Sequence, residues 1–297
     1  MKINDFYSKY KFKLSHSNDI DKFAHVIDEE IDSIFNNLKD DDGLILPKKQ
    51  LHGKIDLSSF KPQHELNPKI WINNKMNSRV RLRLLDIADD FVDTLQTAWV
   101  KPNDIILTGS LANYNWSKYS DFDVHILIDF EKVDNRVEFV KDYYDSKKNE
   151  WNNNHDKLKI YGFPIELYVQ NSKEEHTSSG IYSLEKNKWL KEPEKDNIKA
   201  IKLDKFFIKE QSLKYIKIIN QLKNNIDTCN DDAKLRELSS QVKNVFDKIK
   251  GIRKISLERY GEMGSGNIIY KILRRMGYID ILLDLKANTY DKLKSIG

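Results

Sequence analysis

Residues 105–130 read IILTGSLANYNWSKYSDFDVHILIDF and contain two apolar runs on either side of a glycine-serine turn. The first run, residues 104–108, predicts a short buried strand that Gly109 and Ser110 interrupt. The second, DFDVHILID at residues 121–129, alternates polar and apolar side chains and has high β-propensity, so it predicts another strand. Between them, residues 111–114 are expected to begin a helical turn with Ser110 as its N-cap.

Two carboxylates lie side by side on the second predicted strand. Asp121 and Asp123 are two residues apart and project from one face, with Phe122 and Val124 on the other. Adjacent carboxylates repel each other, and in a cleft such a pair persists when cations occupy it. Oxygen ligands favour Mg²⁺ or Mn²⁺ over Zn²⁺. The pair therefore predicts a divalent-metal site of the kind that holds two ions for phosphoryl transfer.

Two further features complete the predicted site. Gly109 lets the backbone approach a ligand closely, and the N–H groups after it, with the Ser110 hydroxyl, predict a cradle for phosphate. Glu166 stands alone among the apolar residues of PIELYV, and a buried lone carboxylate is costly unless it is paired or metal-bound. We expect Glu166 to face the aspartates from a neighbouring strand. The alternative, a surface strand with solvated carboxylates, is disfavoured because central apolar strands expose few positions.

The combination of Gly109-Ser110, Asp121-Phe122-Asp123 and Glu166 resembles the DNA polymerase β-like nucleotidyltransferase superfamily over roughly residues 77–170. The whole chain also resembles predicted nucleotidyltransferases encoded by tailed phages, in phrases such as LNPKIW and ILRRMGY. The resemblance implies an α+β fold, with a small mixed sheet, flanking helices and a C-terminal helical domain.

The same resemblance implies an activity. The enzyme would move a nucleoside monophosphate from an NTP, with ATP as the expected donor, to an acceptor hydroxyl and release pyrophosphate. Asp121, Asp123 and Glu166 would be the catalytic and metal-binding residues, with Mg²⁺ or Mn²⁺ as the ion. Gly109 and Ser110 would bind the triphosphate.

Three regions are expected along the chain: a helix and arm packing on the core (1–75), the catalytic domain (76–192) and a helical domain (193–297). Apolar periodicity and turn signals predict the individual elements. The predicted helices are 18–38, followed by a turn at Asp40–Gly43, then 77–97, 135–151, 205–226, 231–260 and a last one from 267 to about 294 that Gly277 punctuates. Further predicted strands are 157–161, 163–170 and a hairpin of 181–184 with 188–190.

The charge is divided unevenly along the chain. Residues 1–175 carry 25 Lys and Arg against 30 Asp and Glu, whereas residues 176–297 carry 25 against 16. In the basic half, Lys271, Arg274 and Arg275 share a helix face, and the resemblance implies that such residues bind the nucleotide. Lys250, Arg253 and Lys254 repeat the pattern, and solvated faces are the alternative for both clusters. The basic half mildly favours RNA or a nucleotide as the acceptor.

Other functions stay open at this point. Nucleotidylylation of a small molecule or a protein is one alternative, and synthesis of cyclic or oligonucleotide messengers is another. The phrase Leu111-Ala112-Asn113-Tyr114, where the messenger synthases commonly have Arg-Gly-Thr, argues against the second. A non-catalytic nucleotide- or RNA-binding module is an alternative of a different class, which the presence of all three carboxylates disfavours.

Several single residues have plain structural interpretations. His125 is expected to be packed and hydrogen-bonded, with contact to a phosphate or the acceptor as the alternative. Asp129 is expected to cap the strand end. Tyr114, Trp116 and Tyr119 suit either base stacking or the core, whereas Tyr182 and Trp189 are expected to pack the hairpin. Cys229 is the one cysteine of the chain, which excludes an internal disulfide. No apolar run approaches the ~18 residues of a membrane span, so we expect no membrane partner and a cytoplasmic protein, in the host cytoplasm if phage-encoded.

Overall fold

The computed structural model describes residues 55–176, 178–195 and 203–295. Among these, residues 58–195 form one compact α+β unit, and residues 203–295 with 55–57 form a second, helical unit. The predicted helix at 18–38 and the turn at Asp40–Gly43 lie outside the described residues. The three-region division of the chain therefore stays a prediction.

The α+β unit contains the strands and helices that the sequence predicts. Its elements are β1 (Trp71–Ile72), β2 (Lys75–Met76), α1 (Ser78–Thr94), β3 (Asp104–Thr108), β4 (Phe122–Ile128), α2 (Val137–Asn154), β5 (Lys159–Ile160), β6 (Phe163–Asn171), β7 (Ile181–Ser183) and β8 (Lys188–Lys191). Strands β1 and β2 were not predicted, since this part of the chain was expected to be an arm. For the other elements, the predicted bounds agree with the structure to within about three residues.

The described strands β3 to β8 form one sheet in the order β5-β6-β4-β3-β7-β8. Strands β4 and β6 are parallel, and each other neighbouring pair is antiparallel. Strands β1 and β2 pair separately as a short antiparallel ribbon. A small mixed sheet with helices confirms the predicted α+β class.

The two faces of this sheet differ in chemistry, because side chains alternate along each strand. On the core face, Phe122, Val124 and Leu167 are buried and pack with apolar residues of α1 and α2 in one cluster. On the opposite face, which we call the site face, Asp123 and Glu166 are half-buried. The same strands thus supply both the hydrophobic core and the candidate site.

The helical unit begins at α3 (Lys205–Asp227) and continues with α4 (Asp232–Tyr260), α5 (Ser265–Arg275) and α6 (Tyr278–Lys294). Gly277 lies between α5 and α6 with φ at +78°, in the left-handed region that glycine adopts readily. The predicted helices of this part of the chain and their interruption at Gly277 are confirmed. No helix among the described residues combines the length and apolarity that crossing a bilayer requires.

Candidate active site

Two parallel strands bring three carboxylates together on the site face. Asp123 on β4 is in register with Glu166 on β6, and Asp121 immediately precedes β4. One carboxylate oxygen from each residue lies within 4.8 Å of the others, and all three residues are half-buried. The described residues contain no other group of three His, Cys, Asp or Glu arranged in this way. The register confirms that Glu166 faces the aspartates, and the roles of the three residues stay predictions.

Gly109 lies directly against the carboxylate of Asp123. Its φ of +73° falls in the left-handed region, where a residue with a Cβ is strained. A Cβ at this position would also overlap the Asp123 carboxylate. The turn after β3 therefore needs glycine both for its backbone conformation and for the space that Asp123 occupies.

The segment after Gly109 differs from the prediction. Residues Ser110–Ala112 form a single 3₁₀ turn with no side-chain cap, and the chain is extended again at Asn113. The Ser110 hydroxyl instead donates to Ser120 Oγ at 2.7 Å, which also accepts from the Ser117 backbone N–H at 3.0 Å. A helical turn is thus present, but it ends at Ala112 because the chain is extended at Asn113. The prediction that Ser110 caps this turn was wrong, because the Ser110 hydroxyl is engaged by Ser120. The Ser110 side chain thus ties the turn to the residue before Asp121.

A row of polar side chains lies beside the carboxylates on the site face. Tyr168 donates its hydroxyl to Glu166 Oε2. The His125 ring stacks on the Tyr168 ring, with centroids 4.9 Å apart and an interplanar angle of 19°. His125 Nδ1 is 2.8 Å from Gln170 Oε1, and because an amide oxygen only accepts, the imidazole donates. The expectation of a packed, hydrogen-bonded histidine is confirmed.

These neighbours of the carboxylates are held in their neutral forms. Burial lowers the pKa of His125 to about 4, so the imidazole is uncharged at neutral pH. Burial, and then the negative charge of Glu166, raise the pKa of Tyr168, so the phenol keeps its proton and donates. Tyr168 and Gln170 were not singled out in the sequence, although they continue the every-second-residue pattern that begins at Glu166.

The basic residues predicted to bind nucleotide lie on α5 in the helical unit. Lys271 pairs with Glu262 Oε2 at 2.5 Å, and Arg274 and Arg275 are exposed. Their nucleotide contacts stay a prediction. In the second basic cluster, the Arg253 guanidinium lies 4.2 Å from the centroid of the Tyr270 ring and so links α4 to α5.

The aromatic residues have mainly packing roles. Trp189 stacks on Trp71 with centroids 4.4 Å apart, and Tyr182 meets both rings edge-on at 5.0 Å, which confirms that Tyr182 and Trp189 pack the hairpin. Trp116 is half-buried and donates its indole N–H to the Glu65 carbonyl at 2.8 Å. Asp129 caps the 3₁₀ turn after β4 by accepting from the Glu131 N–H at 3.2 Å.

A cavity of about 750 Å³ lies elsewhere in the α+β unit. Its lining comes from α1, the end of α2 and the β5 region, and includes Arg79, Trp151 and Tyr161. None of the three clustered carboxylates lines it. The cluster of three carboxylates is therefore on the site face and not in this cavity.

Comparison with known proteins agrees with the chemistry of the site face. Residues 88–251, more than half of the chain, match the family described as a nucleotidyltransferase domain. The chain belongs to this family. The matched span includes Asp121, Asp123 and Glu166, so a general nucleotidyl transfer that uses a divalent cation is supported.

The other two comparisons add no relatives. No curated protein matches the chain, and no solved structure does. The resemblance to transferases of tailed phages accordingly has no support from the comparisons.

Proposed function

We propose that the protein moves a nucleoside monophosphate from an NTP, with ATP as the expected donor, to an acceptor hydroxyl and releases pyrophosphate. The observation that carries the proposal is the cluster of three carboxylate oxygens within 4.8 Å, formed by Asp121, Asp123 and Glu166. The turn at Gly109 lies directly against this cluster. Carboxylates for cations beside a turn that offers backbone N–H groups suit a triphosphate.

The donor set fits hard divalent cations. The three side chains offer only oxygen, and they are half-buried rather than fully solvated. Mg²⁺ and Mn²⁺ prefer such ligands, whereas a zinc site in a protein ordinarily includes nitrogen or sulfur. Asp121, Asp123 and Glu166 would hold two cations. When bound, these would neutralise phosphate charge and make the acceptor hydroxyl easier to deprotonate.

The chain's own groups would position the substrates. Backbone N–H groups after Gly109 would donate to phosphate oxygens, and the Ser110–Ser120 hydrogen bond would keep that turn beside Asp121. The acceptor oxygen then forms its bond to the α-phosphorus while the bond from that phosphorus to the β-phosphate oxygen breaks. The leaving oxygen keeps the electron pair and departs as pyrophosphate, and Glu166 takes the proton of the hydroxyl.

The acceptor is proposed to be RNA or a nucleotide. Support comes from the charge of residues 176–297, which carry 25 Lys and Arg against 16 Asp and Glu. Small-molecule or protein nucleotidylylation and messenger synthesis are the alternative outcomes of the same experiment. Phage origin and a cytoplasmic location stay predictions.

The test uses each of the four α-³²P-labelled NTPs separately with Mg²⁺ or Mn²⁺. Acceptors are a small-RNA pool, a protein lysate, a nucleotide and metabolite mixture, and none. The Asp121→Asn/Asp123→Asn variant is compared with Asp129→Asn. This control removes a carboxylate that lies about 20 Å from Asp123 along the strand direction. Label should transfer with wild type and Asp129→Asn and be absent with the double variant.

Two results would count against the proposal. Equal labelling by the double variant would show that the carboxylates are not needed. NTP binding without transfer to any acceptor would favour the non-catalytic binding module, and the class of molecule that becomes labelled decides among the acceptors.

A further inference from the structure

Glu166 is held from within the protein by the side chain two residues further along β6. The Tyr168 hydroxyl donates to Glu166 Oε2. Both residues project from the site face, because they are separated by two positions on one strand. One of the two carboxylate oxygens is therefore engaged by a protein donor before any ligand binds.

The ring that carries this hydroxyl is itself fixed by its neighbours. His125 from β4 stacks on it at 4.9 Å, and Gln170 anchors His125 through a contact of 2.8 Å. The Lys148 ammonium from α2 lies 4.4 Å from the centroid of the same ring. Contacts from two other elements, β4 and α2, restrict the ring, and the orientation of the Glu166 carboxylate is restricted with it. Such support fixes a ligand in advance rather than leaving its ordering to the moment of binding.

The number of oxygens that a carboxylate can offer affects which ion it suits. Ca²⁺ accepts bidentate carboxylates in an irregular shell of six to eight oxygens, whereas Mg²⁺ demands an octahedron of single oxygens at shorter distances. A bidentate ligand must turn both oxygens toward the ion. Glu166, with Oε2 held by Tyr168, is restrained from that rotation.

We infer that Tyr168 is a positioning residue that holds Glu166 as a single-oxygen ligand and thereby makes the carboxylate site prefer Mg²⁺ to Ca²⁺. The inference rests on the proposed function, since it takes the three carboxylates as cation ligands. A purely structural role for Tyr168 would lower stability and leave the ratio of the two affinities unchanged, so that ratio is the decisive readout.

The experiment measures Mg²⁺ and Ca²⁺ affinities by competition with Mn²⁺, followed by electron paramagnetic resonance of free Mn²⁺. Tyr168→Phe is compared with Tyr143→Phe, which removes a hydroxyl that donates to the Leu95 carbonyl at 2.7 Å on the helix side of the unit. Removing support of this kind ordinarily changes metal affinity by 10–100-fold. Because the loss should fall on Mg²⁺ and not on Ca²⁺, the Mg²⁺ to Ca²⁺ affinity ratio should fall about tenfold in Tyr168→Phe. It should stay at the wild-type value in Tyr143→Phe.

The failure of this inference is distinguishable from failure of the proposed function. If wild type binds Mn²⁺, Glu166→Gln weakens that binding and folded Tyr168→Phe keeps the wild-type ratio, the positioning role is overturned and the metal site stands. If wild type does not bind Mn²⁺, the proposed function and the inference fall together. Should Tyr168→Phe not fold, Tyr168→Leu takes its place, because it also removes the hydroxyl that donates to Glu166 Oε2. An unchanged ratio in that variant likewise overturns the inference.

Discussion

The two faces of the central sheet are formed by the same strands but have opposite effects on stability. On the core face, Phe122, Val124 and Leu167 are almost completely buried, and their burial stabilises the fold. On the site face, Asp123 and Glu166 bring like charges together, which costs stability unless a cation lies between them. Because side chains alternate along a strand, residues that are neighbours in sequence serve stability and chemistry separately.

Among substitutions that change only one face of the sheet, the largest expected effect is the loss of activity in Asp123→Asn. The substitution removes a charge from the proposed cation site, and losing a principal electrostatic group ordinarily costs about a thousandfold in rate. It also relieves repulsion, so the Tm without added cation should be unchanged or higher. Initial rates and thermal unfolding are the measurements. A variant with a normal rate per folded molecule would contradict the assignment of this face.

Leu167→Ala tests the opposite face one residue away from Glu166. The side chain is 1% exposed, and deleting a buried leucine ordinarily leaves a cavity that costs about 3 kcal/mol. Urea denaturation should show that loss, while the transfer rate per folded molecule stays near the wild-type value. The comparison breaks down if Leu167→Ala abolishes transfer and leaves the free energy of unfolding unchanged.

Gly109→Ala should affect both the free energy of unfolding and cation binding. The reason is that Gly109 has a positive φ and also lies directly against the Asp123 carboxylate. The positive φ alone costs roughly 1–2 kcal/mol for a residue with a Cβ, and the added Cβ must displace Asp123. We expect a lower free energy of unfolding together with weaker Mn²⁺ binding. Gly162→Ala is the control: its φ is also positive, at +87°, but nothing lies within 4 Å of an added Cβ. It should lose stability and keep Mn²⁺ binding, so equal Mn²⁺ affinity in the two variants would contradict the steric argument.

The smallest expected effect is that of Asp129→Asn, beyond the end of β4. Asp129 accepts from the Glu131 N–H and pairs with Lys173 at 3.4 Å. Asn also caps turns well, and a partly exposed ion pair contributes about 1 kcal/mol or less. Both the Tm and the transfer rate should stay close to wild type. A large loss of rate would show that Asp129 belongs to the functional site together with the three carboxylates.

The sequence alone predicted correctly those features that a local rule determines. Period-two alternation placed Asp121 and Asp123 on one face of the strand. The apolar surroundings of Glu166 indicated that its carboxylate is paired or metal-bound. The hydroxyl of Ser110 was assigned wrongly, because its choice of Ser120 depends on the path of the intervening loop. Tyr168 was missed because an aromatic residue in an apolar strand is typical of a core. Its contact with Glu166 becomes evident only when the strands are in place.

The most direct test of the central claim compares the fate of the α- and γ-phosphates of the donor. Parallel reactions with α-³²P- and γ-³²P-labelled NTP contain the acceptor found in the labelling screen, and the products are separated with markers for pyrophosphate and orthophosphate. We expect the α-label on the acceptor and the γ-label in pyrophosphate, with both lost in Asp123→Asn. The γ-label on the acceptor, or its release as orthophosphate, would contradict nucleotidyl transfer at this site.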